Sequence, residues 1–491
     1  MTRAWCFLMV LVGVALALGC TPGDRLHFPS APTHTDRGAT WYDTNHDDRP
    51  DFSITHNDAG RLVSLGYDDD QNGEADRRYR LADYADAELP HLIVLIDSIP
   101  YAAFKQNIAS RPPGVWGVFD EPAKVIAPYP SMSAVCFSDL FDAPPMPGAI
   151  NKYYDPRPQT NGVTNLINKR LDGYRNPWQQ RLHYNIDYRD NTSAWLNPRP
   201  WLGVELERAR QAFDASPDRT TVVYISSAAA MLMKYGPTGL DETLDELERF
   251  LLQVLYERKG AVKISVISET FKNLTETTWI DVEQALEIGG FRVVDSIKKP
   301  DDVFLEMDGL LTWFGVHTSQ PEAVSQTLLD EIPAIETISY LEGFDVVVRN
   351  HQGVARIALA EVKLIYTPEA GDPLDYGEAL AGVALTPDEW FDRTAAHVFP
   401  AAPPRLWAAF HGQTRNNPQV MVTLRDGTCA GIEWFQWFIT PRSTHGGLNQ
   451  VNSAAVLMTT TRPIEGPLRT GEVMNAIEPG WMPPIVSPAQ R

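Results

Sequence analysis

The sequence predicts a layered α/β fold, a mainly parallel sheet with helices on both faces, preceded by a short acidic repeat region. Three observations predict it. Residues 92–99 (LIVLIDSI), 220–227 (TTVVYISS) and 261–268 (AVKISVIS) are short apolar runs rich in Ile, Val and Leu, as expected of parallel strands covered on both faces. Between the last two, Leu240, Leu244, Leu247, Leu251 and Leu255 recur at three- and four-residue steps, with Asp241, Glu242, Asp245 and Glu246 early; an apolar stripe behind an acidic first turn is an amphipathic helix. Residues 280–290 form a second helical stretch closed by glycines, and residues 291–294 a further strand. Strand and helix in this rhythm build a parallel layered sheet.

At 491 residues the chain calls for one large α/β domain with an appendage. Its 42 basic against 63 acidic residues give a net charge of −21, which argues against nucleic acid and against anionic lipid surfaces as partners. No sequence feature names a protein partner.

From the N-terminus, Arg3 and the apolar run 7–18 (FLMVLVGVALAL) form a targeting segment too short to span a bilayer, ending at Gly19-Cys20. It resembles a bacterial lipoprotein signal, which implies lipidation of Cys20 and an exported chain anchored in the cell envelope, at the outer membrane or cell surface. Residues 21–39, rich in Pro, Thr, His and Gly, read as a tether. Cys136 and Cys429 then remain, and their number alone does not establish a disulfide.

Residues 40–82 hold two acidic clusters in one frame. Asp43, Asn45, Asp47 and Asp51 follow Tyr42; Asp68, Asp70, Asn72 and Asp76 follow Tyr67, with Gly73 at the sixth position. Oxygen donors at positions 1, 3, 5 and 9 suit calcium, although Ile54 and Tyr79 stand where an EF-hand closes with Glu. The pair resembles the short calcium repeats of thrombospondin type 3 or dockerin. The alternative reading is a solvated acidic linker.

Residues 301–368 change character. A hairpin signal at His351-Gln352-Gly353 lies between apolar runs, and a short helix covers 321–332, giving an antiparallel insertion. Beyond it, 388–398 and 405–410 read as helices and 420–424 as a strand, while 443–448 (STHGGL) precede a last strand at 454–460.

Asp97 ends the first strand, where ligands gather in open α/β sheets. Residues 127–139 (APYPSMSAVCFSD) offer Ser131 and Ser133 after a turn, and His445 stands beside glycines. A strand ending in Asp, a Pro-x-x-Ser turn and a late His-Gly, in this order over residues 90–480, resemble the alkaline phosphatase superfamily, in particular its nucleotide pyrophosphatase/phosphodiesterase branch. The resemblance implies an alkaline-phosphatase-like fold in which two zinc ions about 4 Å apart clamp a phosphate while Ser or Thr attacks it. It places Ser133 as nucleophile, with Ser131 the alternative register, and Asp97, Glu269 and His445 as metal ligands.

The family pattern then breaks. Ala229, Met233 and Thr270 occupy positions where the family carries metal ligands, and no His lies between His183 and His317. Two carboxylates and a hydroxyl suit magnesium or calcium better than zinc. The sequence therefore favours a phosphatase-like fold with a degenerate metal site, used for binding or scaffolding. A second reading is an active phosphate-ester hydrolase using Ser133 and one hard cation. A third places the site on aromatic segments 195–201 or 433–438, where core packing is the plainer account.

Overall fold

The computed structural model describes residues 26–36, 38–84, 88–157, 162–166, 174–269, 273–432 and 440–486. The targeting segment with Cys20 lies outside them, as do residues 21–25 and 37; the rest of the stretch read as a tether is described, with Leu26 and Phe28 buried and His34–Asp36 a strand. Among the described residues no helix is long and apolar enough to cross a membrane.

The chain first folds into a five-stranded antiparallel meander: His34–Asp36, Ala39–Tyr42, Phe52–His56, Leu62–Tyr67 and Arg77–Arg80. Tyr42, Phe52 and Tyr67 are buried and meet Phe28 and Tyr256, with Phe52 edge-on to Tyr256 at 5.1 Å and Tyr67 stacked on it at 5.4 Å. The Tyr67 hydroxyl also donates to the Tyr256 carbonyl. The meander thus docks on the last turns of the helix Pro237–Arg258.

Seven strands make the main sheet, in the spatial order Tyr184–Asn185, Thr220–Ile225, His91–Ile96, Lys263–Ser268, Ala454–Thr459, Ala123–Ile126, Leu468–Arg469. The first four run parallel, and Ala454–Thr459 is antiparallel to both its neighbours. Successive residues of His91–Ile96 face opposite layers. Leu92, Val94 and Ile96 meet Leu244, Leu247 and Leu251 of the long helix, while Ile93 and Leu95 join Phe137, Leu140 and Ile477. Burial on both faces is why this strand reads as an unbroken apolar run.

A second, nine-stranded sheet runs Arg292–Val293, Asp302–Glu306, Trp313–His317, Val420–Leu424, Ile335–Glu342, Asp345–Asn350, Gly353–Ala360, Lys363–Ala370, Ala384–Leu385. The insertion expected at 301–368 is the middle of this larger sheet, which takes Val420–Leu424 into its interior. Residues 291–294, expected in the main alternation, instead pair with Asp302–Glu306 at its edge. The physical reason is the preceding helix Val282–Ile288, whose Val282, Ala285 and Leu286 bury against Val324 and Leu328 of the helix Pro321–Glu331, drawing the chain into the second layer. Cys136 and Cys429 are buried free thiols.

The helix Ser227–Tyr235 starts directly after the strand Thr220–Ile225, so its first amides emerge inside the protein and need acceptors. Glu205, fully buried on the helix Pro198–Ala215, supplies them: it accepts from Ser226 N at 3.2 Å and Ser227 N at 2.6 Å, and from both hydroxyls. Burial, against the pull of those hydrogen bonds, pushes its carboxyl up to about 7 from the usual 4.5. The folded chain then holds a proton that the unfolded chain releases near pH 4.5, so Glu205 makes stability fall as pH rises from about 4.5 to 7, by on the order of 3 kcal/mol. Thermal melts across that interval should show a flatter decline for Glu205→Gln than for wild type; equal slopes would show that Glu205 is ionised in the fold throughout.

Candidate functional site

Parallel pairing sets Ile225 and Ser268 level with Ile96. The next residues, Ser226, Asp97 and Glu269, therefore leave the sheet side by side. The strand Ala123–Ile126 delivers residues 127–133 to the same edge. Because Ala454–Thr459 runs the opposite way, the loop before it, 443–453, starts there too, tied by Ala127 N to Ser453 O at 2.9 Å.

Asp97 is 6% exposed, and both its carboxylate oxygens are engaged: Tyr224 OH donates to Oδ2 at 2.6 Å and the Ser98 hydroxyl donates to Oδ1. Ser98 has a φ of 72°, a left-handed conformation that a non-glycine residue adopts only when its surroundings hold it. Ser268 does so by accepting from Ile99 N and facing Ile99 O, both at 2.9 Å. Asp97 caps no helix; the following one, Tyr101–Ser110, starts after Pro100.

Glu269 is 1% exposed. Its charge and that of Asp97 reach the Tyr224 hydroxyl, whose pKa is raised well above the usual tyrosine range, first by burial and then by these carboxylates. The Cys136 thiol is likewise raised, by burial, then by Glu269 and Asp139, with Arg405 opposing. Tyr224 therefore stays a hydrogen-bond donor, and Cys136 stays a thiol rather than a nucleophilic thiolate.

The serines differ. Ser131 is fully buried, with its hydroxyl 3.2 Å from both the Pro128 and the Gly447 carbonyls. Ser133 is half-buried at the first position of the helix Ser133–Leu140, whose N-cap is Met132. Of the two, Ser133 is the one placed to meet a ligand. Beside it, Gly446 has a φ of 113°, and a Cβ there would come within 2.6 Å of Met132 Cε and 2.8 Å of Trp313 Cβ. A side chain at 446 would push the His445 loop off the turn carrying Ser131 and Ser133.

His445 is half-buried and its carbonyl accepts from Thr312 N at 3.0 Å. Two further bonds pin its loop: Arg442 N to Met233 O at 2.9 Å and Asn273 N to Thr444 O at 3.0 Å. Arg405 holds the loop from behind, donating to the Leu448 carbonyl at 2.8 Å and to Ser453 Oγ at 2.6 Å; burial draws its guanidinium down to about 10. Asp97, Ser131, Ser133, Glu269 and His445 thus converge on one edge with the helix that carries Ala229 and Met233. Thr270 lies outside the described residues. Sequence reasoning missed Tyr224, Ser98, Glu205 and Arg405; the tyrosine inside the otherwise aliphatic strand 220–225 was the available signal.

Two zinc ions need imidazoles and carboxylates from several strand ends. Here Ala229 and Met233 offer neither. Among the described residues Asp97, Glu269 and His445 do not bring ligand atoms within 4.8 Å of one another, whereas Asp68, Asp70 and Asp76 do. The residues at the sheet edge do not fit a two-zinc centre.

The two acidic loops join meander strands and share a backbone: φ is 61° at His46 and 67° at Asp48, 59° at Gln71 and 89° at Gly73. Asp48 therefore adopts the turn that Gly73 makes in the second copy. Asp43 accepts from Asp47 N and Asp48 N, and Asp68 from Asn72 N and Gly73 N. Asn45 and Asn72 accept from Asp47 N and Glu74 N, while Asp51 and Asp76 accept from Thr44 N and Asp69 N. Gln71 Nε2 joins the loops by donating to Asp47 Oδ2 at 2.6 Å. In the aromatic segment 195–201, Trp201 is buried with Ile186, Ala194 and Val204, as core packing requires. Residues 433–438 lie outside the described residues.

No family model and no curated protein matches the chain. Solved structures do. One is phosphonoacetate hydrolase from Sinorhizobium meliloti 1021 in complex with phosphonoformate, at 14% identity and a TM-score of 0.41, covering 82% of this chain and 97% of that one. Another is human ectonucleotide pyrophosphatase / phosphodiesterase 5, at 8% identity and a TM-score of 0.41, covering 81% and 97%. Its murine counterpart matches at 10% identity and a TM-score of 0.40, covering 78% and 92%. Likeness at that level decides nothing about chemistry, which rests on this chain's own residues.

Proposed function

We propose that this protein is an exported, lipid-anchored member of the alkaline phosphatase superfamily whose metal centre is degenerate, and that the sheet edge around Asp97 and Ser133 serves binding or scaffolding rather than zinc-dependent hydrolysis. One observation carries the reading: at the converging strand ends, Ala229 and Met233 stand in place of ligands and Asp97 turns both oxygens to Tyr224 and Ser98. The apolar run 7–18 and Gly19-Cys20 support export and anchoring.

A second reading rests on Ser133, half-buried at a helix start beside two carboxylates: a phosphate-ester hydrolase in which Asp97 and Glu269 hold one hard cation, magnesium or calcium, and His445 serves the leaving group. An anionic ester meets like charge at this edge, so hydrolysis here requires that cation.

In the meander, the close approach of Asp68, Asp70 and Asp76 supports calcium binding by the second loop, with Asp43, Asn45, Asp47 and Asp51 forming a weaker first site. The cation would replace loop amides as the partner of these carboxylates.

Purified protein incubated with zinc, magnesium and calcium is expected to retain less than one zinc per chain, and to hydrolyse p-nitrophenyl phosphate and bis(p-nitrophenyl) phosphate no faster than Ser133→Ala. Hydrolysis lost in that variant would establish the second reading, and two zinc ions per chain would overturn both. Calcium at about 100 times its Kd should stabilise the fold by about 2.7 kcal/mol, visible as a raised Tm. The doubly substituted Asp68→Asn, Asp70→Asn chain should lose most of that rise; an unchanged rise would place the cation elsewhere.

A further inference from the structure

Away from the main sheet edge, the second sheet holds a buried imidazole and carboxylate that the readings above do not use. In the antiparallel pair Asp302–Glu306 and Trp313–His317, Phe304 stands opposite His317. Glu306, two residues on, shares the face of Phe304 and is the diagonal neighbour of His317. His317 is 3% and Glu306 0% exposed, and His317 Nε2 lies 2.8 Å from Glu306 Oε2. Glu306 Oε1 is buried without a hydrogen-bond partner among the described residues. A buried carboxylate left with an orphaned oxygen costs stability, a cost that packing alone would have removed with an apolar pair.

His317 lines a cavity of about 280 Å³ together with Tyr154, Thr318, Ser319, Asn416 and Gln419. The Tyr154 ring sits 5.3 Å from the imidazole. With Nε2 engaged by Glu306, Nδ1 is the ring nitrogen left for a ligand. Asn416 spends Nδ2 on the Pro147 carbonyl at 2.7 Å, which leaves Oδ1 to accept. Gln419 Oε1 is taken by Thr318 N at 3.1 Å.

We propose that this cavity is a second binding site, independent of the sheet edge, for one neutral, hydroxyl-bearing ring such as a single sugar or a cyclic polyol. Size limits it: the volume falls just below the roughly 300–1,000 Å³ of drug-sized pockets. Charge limits it further, because neither Lys nor Arg is among the described residues lining the cavity, and the imidazole that lines it is paired with the Glu306 carboxylate; a phosphate has no cation to meet. The imidazole selects the group. With Nε2 on the Glu306 carboxylate, Nδ1 is left as a group that a hydroxyl can meet. Tyr154 supplies an aromatic wall for the C–H face of a ring.

The test is a titration of the full chain, labelled with ¹⁵N-histidine, with methyl α-glucopyranoside, methyl β-galactopyranoside, myo-inositol and glycerol, following the His317 ring nitrogens by NMR. Loss of the signal in His317→Gln assigns it. A saturable shift of the His317 resonances with at least one ring polyol is expected, weakened about tenfold in Asn416→Ala, the loss of roughly one hydrogen bond. The wild-type titration decides even if that variant fails to fold. No saturable shift with any of the three ring polyols, including a shift with glycerol alone, or a saturable shift only with inorganic phosphate or methylamine, would overturn the proposal.

Discussion

The molecule depends on one register. The three central parallel strands pair so that Ile225, Ile96 and Ser268 finish level, and three chain segments must therefore leave the sheet at one point. Each is anchored differently there. After Ile225 the chain turns at once into a helix, whose first amides are buried and are met by Glu205. After Ile96 it makes a left-handed kink at Ser98, held by Ser268 across the ladder. After Ser268 comes a buried glutamate. A slip of one residue would turn each strand's residues to the opposite layer and lose both helical covers together.

That convergence sets the electrostatics. Asp97 and Glu205 are both buried, and burial disfavours the charged form of Glu205. The fold answers with donors rather than cations: a tyrosine hydroxyl, serine hydroxyls and backbone amides. Donors of this kind stabilise a carboxylate by hydrogen bonding. Ala229 and Met233 offer no imidazole or carboxylate, and Tyr224 and Ser98 donate to Asp97 from within the protein.

Much of this was legible in the sequence because it is local. Apolar runs at 92–99, 220–227 and 261–268, the leucine stripe of 240–255, and the matched acidic frames at Asp43 and Asp68 each follow from periodicity within a short window. The edge position of Asp97 also followed, since a strand's end is visible where its apolar run stops. What was not legible is pairwise and distant. Glu205 carries no local signal, and only the fold puts it against the amides of Ser226 and Ser227. The strand 420–424 reads as part of the main domain, and only its pairing with 313–317 and 335–342 moves it to the second sheet. The diagonal pairing of Glu306 with His317 needs a register that no single strand contains.

The meander adds a last consequence. Each acidic loop follows directly on a tyrosine, Tyr42 before Asp43 and Tyr67 before Asp68, and both rings are buried against Phe52, with Tyr67 also stacked on Tyr256. The loop backbone and the docking surface are therefore adjacent links of one chain. Whatever fixes the loop carboxylates also fixes the rotamers of the rings beside them, at little extra cost in side-chain entropy because the rings are already buried. Tyr256 lies on the helix whose Leu244, Leu247 and Leu251 cover the Asp97 strand. A cation in the loops would thus stiffen a path running from the acidic repeats through the aromatic cluster to the layer that supports the candidate site.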